Sequence, residues 1–222
     1  GSGWLILSGG GDWQAGETGA IDSAALGWSN LDRPIAVLPT AGGSTAEGER
    51  LLDYYADLGG PSGYIVTVFR AADAQRQENC ALLAQAGLIY IADGPNLIQL
   101  VQALQQSPAL SAMERAFSIG AAILGMGAGA AALGTWTAGK TPTDQASAGW
   151  SWLHHMIVEP HFTTTESAER LRHLLDLYPN YLGLGIPEGC ALALGPDGRV
   201  ETMGEQQVTV VLHPTGDGSD PK

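Results

Sequence analysis

The amino-acid sequence predicts an α/β fold, a three-layer sandwich whose mostly parallel central sheet carries helices on both faces. Short apolar runs of strand length, bounded by Gly, Pro or Asp, alternate with longer segments whose apolar residues recur at the helical period. A chain of 222 residues, 45% hydrophobic and 15% charged, can also bury one complete core. We therefore expect a single domain over residues 1–212 and a disordered polar tail over residues 213–222.

The predicted elements alternate in chain order. The apolar runs predict five early strands, at residues 4–7, 35–38, 64–69, 88–92 and 119–124. Helix-period positions predict the helices that connect them, at residues 45–58, 75–86 and 97–106, with Ser44 or Thr45 as a cap for the first. A loop rich in Gly, Thr, Ser and Pro follows at residues 135–149. The last predicted elements are a strand at 156–159, a helix at 165–177 and strands at 181–185, 190–194 and 208–212.

Composition excludes several classes of partner. The formal net charge of -13 repels a phosphate backbone or an anionic membrane surface. The sequence has neither a long uninterrupted apolar run nor an export signal, which favours a cytoplasmic location. Its two cysteines form no CxxC, its five histidines form no HExxH, and the glycines after the first strand do not complete GxGxxG. We therefore expect no nucleic acid, membrane, metal or cofactor, whereas a homodimer is allowed.

One segment carries the strongest indication of chemistry. Residues 121–134 run from a buried strand through a turn of small residues directly into an Ala-rich helix. This order is typical of a nucleophile elbow, whose tight turn tolerates only small neighbours. Gly127 occupies the centre of the turn, where a working hydrolase has Ser or Cys.

The segment resembles the Gly-x-Ser-Ala-Gly-Ala elbow of the peptidase E and cyanophycinase family of serine hydrolases. Further blocks resemble that family in the same order along the chain, namely residues 7–12, 35–41, 90–96, 158–162 and 183–192. The resemblance implies a class I glutamine amidotransferase-like, flavodoxin-like fold. It also implies that Gly127 takes the place of the serine, that His161 is the general base, and that an acidic residue orients this histidine. For that acid we favour Asp144, with Glu188 as the alternative.

The resemblance further assigns the oxyanion side of the site. The main-chain N–H groups of Gly94 and Ala128 match the pair that would hold an oxyanion. Asp93 stands where the family has glycine, which puts a carboxylate where negative charge should develop, and Pro95 replaces the usual amide residue. Asn96, which ends the same block, is a further candidate binding residue.

Glycine offers no nucleophilic atom, so we predict a catalytically degenerate hydrolase that binds a small peptide or amino-acid derivative. Because Asp93 adds negative charge, we expect the ligand to carry a positive or amino group. Arg170 and Arg172 are interpreted as a solvated helix face. Two alternatives stay open. One is an amidotransferase-like interaction subunit; the other is an active serine-type peptidase or amidase using an unrecognised nucleophile, for which we considered Ser118, Thr135, Thr137 and Cys190.

Overall fold

The structure, a computed structural model, describes residues 2–139 and 145–213. Its strands are β1 (Leu5–Ser8), β2 (Ile35–Leu38), β3 (Gly63–Ile65), β4 (Leu88–Ile91), β5 (Ala122–Met126), β6 (Trp136–Thr137), β7 (Ser147–Ala148), β8 (Met156–Glu159), β9 (Leu182–Gly185), β10 (Ala191–Leu194), β11 (Val200–Met203) and β12 (Thr209–Leu212). Its α-helices are α1 (Gly19–Gly27), α2 (Ala46–Asp57), α3 (Gln77–Ala84), α4 (Leu97–Leu104), α5 (Pro108–Ser118), α6 (Ala128–Ala132) and α7 (Thr165–Leu177).

The central sheet has seven strands in the order β11-β10-β1-β5-β4-β2-β3. Strands β1, β5, β4, β2 and β3 are parallel to one another, and β10 and β11 extend the sheet beyond β1 in antiparallel pairing. Adjacent parallel strands require crossovers, which the intervening helices supply. The predicted α/β class with a mostly parallel sheet is confirmed.

Both faces of this sheet are buried, each against its own helices. On one face Ile6 and Tyr90 belong to a cluster that includes Ile21 of α1 and Tyr55 of α2. On the opposite face the next side chains along the same strands pack against residues of α3, α4, α5 and α6. The period of two along each strand therefore divides the apolar side chains between two cores, which makes the predicted three layers.

A second, five-stranded sheet has the order β12-β9-β8-β6-β7, with β8 and β9 parallel. Helix α7 covers it through Leu171, Leu174 and Leu175, which cluster with Ile157 of β8. Thr164 is the N-cap of this helix, and its hydroxyl accepts the main-chain N–H of Ser167 at 3.1 Å in a capping box. Helix α6, which follows the elbow, packs against both β5 and β8. This packing places the end of β8 near the elbow.

Several predicted boundaries were wrong for local reasons. The strand predicted at 119–124 begins at Ala122, because the preceding residues end α5 and Ile119 is 61% exposed. The strand predicted at 64–69 covers only Gly63–Ile65, and Thr45 lies at the N-cap position of α2 without a side-chain bond. Helices α1 and α5 and strands β6, β7 and β11 were not predicted. From residue 214 on, the predicted tail lies outside the described residues.

Candidate active site

Four loops that follow strands meet at one edge of the molecule. The ends of β4 and β5 in the central sheet provide Asp93 and Gly127, and the ends of β8 and β9 in the second sheet lead to His161 and Glu188. Parallel strands end on the same side, so loops that are far apart in sequence converge there.

Gly127 forms a sharp turn between β5 and α6, with φ 54° and ψ -111°. Its N–H donates to the carbonyl of Ser8 at 3.0 Å, and its own carbonyl accepts the N–H groups of Ala130 and Ala131. Positive φ favours glycine. The backbone therefore has the sharp strand-to-helix turn expected of an elbow, although no side chain projects from it.

The carboxylate of Asp93 occupies the space above this turn. A Cβ atom added to Gly127 would lie 2.2 Å from both Cγ and Oδ1 of Asp93. Oδ1 accepts the main-chain N–H of Ala128 at 2.9 Å and that of Gly94 at 2.8 Å. The two N–H groups that match the oxyanion donors are thus directed at a carboxylate of the chain itself.

His161 links this carboxylate to a second one. Its Nε2 lies 2.8 Å from Oδ2 of Asp93, and its Nδ1 lies 2.8 Å from Oε1 of Glu188. The His161 main chain has φ 51° and its N–H donates to the carbonyl of Gly9 at 2.9 Å. Positive φ is unfavourable for a residue with a side chain, so the surrounding contacts hold this imidazole between the two acids against local strain.

The hydrogen bonds between His161 and Asp93 determine the protonation states of both side chains. The hydrogen bond to Asp93 is the main cause that raises the pKa of His161 to about 9, against the opposing effect of burial. Burial acts to raise the pKa of Asp93, but the hydrogen bonds from His161, Ala128 and Gly94 outweigh it and hold that pKa below its usual value. Near neutral pH the site is therefore an imidazolium between carboxylates.

A second ion pair, between Glu159 and Arg170, lines the same cavity as Asp93 and His161. Glu159, at the end of β8, is only 5% exposed and accepts hydrogen bonds from Arg170, with Nε 2.9 Å from Oε1. Arg170 also bonds Glu166 at 3.0 Å. Burial raises the pKa of Glu159 to about 7 even though Arg170 opposes this shift. Arg172 is exposed, but the interpretation of Arg170 as a solvated residue was wrong, because sequence spacing on α7 did not reveal its buried partner.

An open cavity of about 470 Å³ lies against these groups. Asp93, His161 and Arg170 line it together with apolar side chains of Leu97, Ala131 and Val158. Its volume is in the range of sites that hold small ligands.

The structure brings most of the predicted site residues together, but not all of them. It brings Asp93, Gly94, Gly127, Ala128, His161 and Glu188 together. Glu188 contacts His161, whereas Asp144 lies outside the described residues. The side chain of Asn96 donates to the carbonyl of Ala41 at 3.1 Å and so ties two loops together. The contact between Asp93 and His161, which joins residues far apart in sequence, was not predicted.

The hydroxyl and thiol groups considered as substitute nucleophiles are bonded to main-chain carbonyls elsewhere. These bonds are Ser118 to Arg115, Thr135 to Leu153, Thr137 to Ser147 and Cys190 to Gln206. Across residues 2–139 and 145–213, no cluster of three or more His, Cys, Asp or Glu side chains is arranged to hold a metal ion. In the same ranges no helix is long and apolar enough to cross a membrane.

Comparison with known proteins identifies related sequences. Residues 5–201 match the profile of peptidase family S51. A cyanophycinase from Synechococcus elongatus is 29% identical over 191 residues, which are 82% of this chain and 59% of that protein. A cyanophycinase from Geminocystis herdmanii is 25% identical over 191 residues, covering 81% of this chain and 70% of that protein. The chain thus spans about three-fifths of the length of the first of these relatives.

Solved structures agree with the fold. A peptidase from an acI-B1 Actinobacterium superposes with a TM-score of 0.70 at 25% identity, covering 96% of this chain and 91% of that one. A putative peptidase E protein from Listeria monocytogenes EGD-e gives a TM-score of 0.65 at 16% identity, covering 93% of this chain and all of that one, and supports the fold alone.

Proposed function

The chain belongs to peptidase family S51, and from this premise we propose that it has lost acyl transfer and binds a small peptide or amino-acid derivative without efficient cleavage. The observation that carries this proposal is the position of the Asp93 carboxylate. It fills the space of a side chain at Gly127 and accepts the N–H groups of Ala128 and Gly94.

Serine-type hydrolysis needs a nucleophilic atom and free oxyanion donors, and this site offers neither. Gly127 has no oxygen or sulfur to attack a carbonyl. The two N–H donors are already paired with an anion, so a tetrahedral intermediate would have to displace Asp93 from them. Acyl transfer therefore lacks both its nucleophile and its free oxyanion donors.

The protonation state of His161 supports the same proposal. A general base must be neutral before it accepts a proton from a nucleophile. Because the pKa of His161 is raised to about 9, the imidazole already carries that proton at neutral pH.

The charge around the cleft favours a ligand with an amino group. Asp93 and Glu188 contribute two carboxylates against the single imidazolium of His161, whereas Arg170 is paired with Glu159. The excess of negative charge attracts an ammonium group, and the cavity of about 470 Å³ accommodates an amino acid or dipeptide.

A library of dipeptides and amino-acid amides tests the proposal. We expect no efficient turnover by the wild-type chain, no labelling by a fluorophosphonate probe, and a shift of the His161 ring resonances by one or more amino-bearing members of the library. Efficient hydrolysis or stoichiometric labelling would overturn the loss of acyl transfer. A library in which no member perturbs the ring would overturn the ligand assignment.

A further inference from the structure

A second, smaller cavity of about 60 Å³ lies beside the candidate active site. It shares only Asp93 with the cavity of about 470 Å³. Its wall comes from the face of the central sheet that packs on α1 and α2, and it includes Tyr90 of β4 and Leu51 of α2. The charged side chains that line it are Glu47 and Asp93, and no Lys, Arg or His of the described ranges joins them.

The hydroxyl of Tyr90 is an unused polar group in this cavity. Tyr90 is 3% exposed, and its hydroxyl forms no hydrogen bond to any residue in 2–139 or 145–213. The oxygen is nevertheless not fully enclosed by protein atoms, so it faces the cavity. The neighbouring hydroxyls of Tyr54 and Tyr55, by contrast, both donate to Asp22. Because a buried hydroxyl normally has a partner, the Tyr90 hydroxyl points to a ligand.

The electrostatic environment of this hydroxyl favours a cation. Burial is the main cause that raises the pKa of Tyr90 well above its ordinary value, and the negative charges of Asp22, Glu47 and Asp93 add to the shift. The phenol therefore keeps its proton and contributes an oxygen lone pair in a negative potential. A positively charged group that donates a hydrogen bond complements both features.

Glu47 supplies the second contact. Its Oε1 accepts the indole N–H of Trp13 at 3.1 Å, and the carboxylate forms no ion pair with any residue that the structure describes. With one oxygen engaged, the carboxylate does not offer the two-oxygen contact that a guanidinium prefers, whereas an ammonium takes single contacts. Trp13 also lines the cavity, and an indole ring attracts cations.

We infer that this cavity binds a primary alkylammonium group, held by the hydroxyl of Tyr90 and the free carboxylate oxygen of Glu47. The methylene groups of the ligand pack on Val37, Leu51 and Met126, which line the same cavity. A water molecule needs about 10–15 Å³ of cavity volume, so about 60 Å³ holds about four to six non-hydrogen atoms, the size of n-butylamine. The inference goes beyond the proposed function, because it concerns a separate cavity and does not depend on the loss of acyl transfer.

A titration with n-butylammonium chloride at fixed pH and ionic strength tests the inference. The readout is the indole N–H resonance of Trp13 in two-dimensional NMR spectra, identified by its loss in Trp13→Phe. We expect a saturable shift of this resonance, with a dissociation constant on the order of millimolar for so small a ligand. 1-Butanol, which has the same chain and no charge, should bind at least about 10-fold more weakly.

Matched variants test the two contacts. Tyr90→Phe and Glu47→Gln should each raise the dissociation constant of n-butylamine by about 10-fold or more. Tyr90→Phe breaks no hydrogen bond to a described residue, so we expect it to fold, and Glu47→Gln tests the same cavity from an exposed position. The controls are Tyr64→Phe, at a tyrosine that is 50% exposed, and Glu49→Gln, at an exposed position of the same helix. Both should leave the dissociation constant within about 2-fold.

Three outcomes would overturn the inference. They are the absence of a saturable shift of the Trp13 indole, binding of 1-butanol as tight as that of n-butylamine, and an unchanged dissociation constant in Tyr90→Phe. A shift of the His161 ring without any response of Trp13 would place the amine in the larger cavity alone. That result would also overturn this inference while supporting the proposed function, so the two fail separately.

Discussion

Introducing a serine at position 127 should produce hydrolytic activity only if Asp93 is removed at the same time. In Gly127→Ser the new Cβ would lie 2.2 Å from Cγ of Asp93, so the carboxylate must leave its three partners. Hydrogen bonds to a charged group contribute about 1.5–3 kcal/mol each. Because the Asp93 side chain is 31% exposed and water replaces part of that bonding, the net loss should be about 2–4 kcal/mol.

Backbone strain lowers the free energy of unfolding of Gly127→Ser by a second amount, which can be measured separately. A residue with a side chain at φ 54° costs about 1–3 kcal/mol, with or without Asp93. A double-mutant cycle with Gly127→Ser, Asp93→Gly and the combined variant should therefore return a coupling free energy of about 2–4 kcal/mol in urea unfolding. Gly59→Ser is the matched control, because Gly59 has φ +89° and no atom near its Cβ position, so it reports strain alone.

The same variants test activity. Asp93→Gly frees the two N–H donors and returns the pKa of His161 toward its ordinary value, so the double variant should hydrolyse dipeptides at least about 100-fold faster than either single variant. Additive unfolding free energies within about 0.5 kcal/mol, or full activity in Gly127→Ser alone, would refute the claim that Asp93 occupies the serine position.

The remaining predictions concern the charged groups of the cleft. Asp93→Asn should return the pKa of His161 from about 9 toward 6.5, measured by NMR titration of the ring, and an unchanged midpoint would contradict the assigned cause. The stability due to this pair should be lost as pH falls through the lowered pKa of Asp93 and as pH rises through about 9, which thermal unfolding across pH would detect. Arg170→Met should cost about 3–5 kcal/mol in urea unfolding at pH 8, and less below pH 7, where Glu159 protonates. Arg172→Met, on the exposed face of the same helix, should change stability by less than about 0.5 kcal/mol.

The sequence predicted those parts of the fold that depend on local pattern. Helix α7 and strand β8 have the predicted bounds, because a capping signal or a flanking loop separates each from its neighbours. Strand β5 was misplaced because an apolar run does not reveal where a preceding helix ends. Helix α1 was missed because its apolar positions have weak helical periodicity and glycine lies at both of its ends.

The sequence by itself determined the α/β class, the family, and the presence of glycine at the centre of an elbow, because these depend on the order and spacing of residues along the chain. The tertiary structure decided which group lies above Gly127, the Asp93 carboxylate. Asp93 and His161 are far apart in the sequence and on different sheets, and only the convergence of strand ends puts Nε2 and Oδ2 2.8 Å apart. The protonation of His161 and the pairing of Arg170 with Glu159 follow from burial and proximity, which local pattern does not encode.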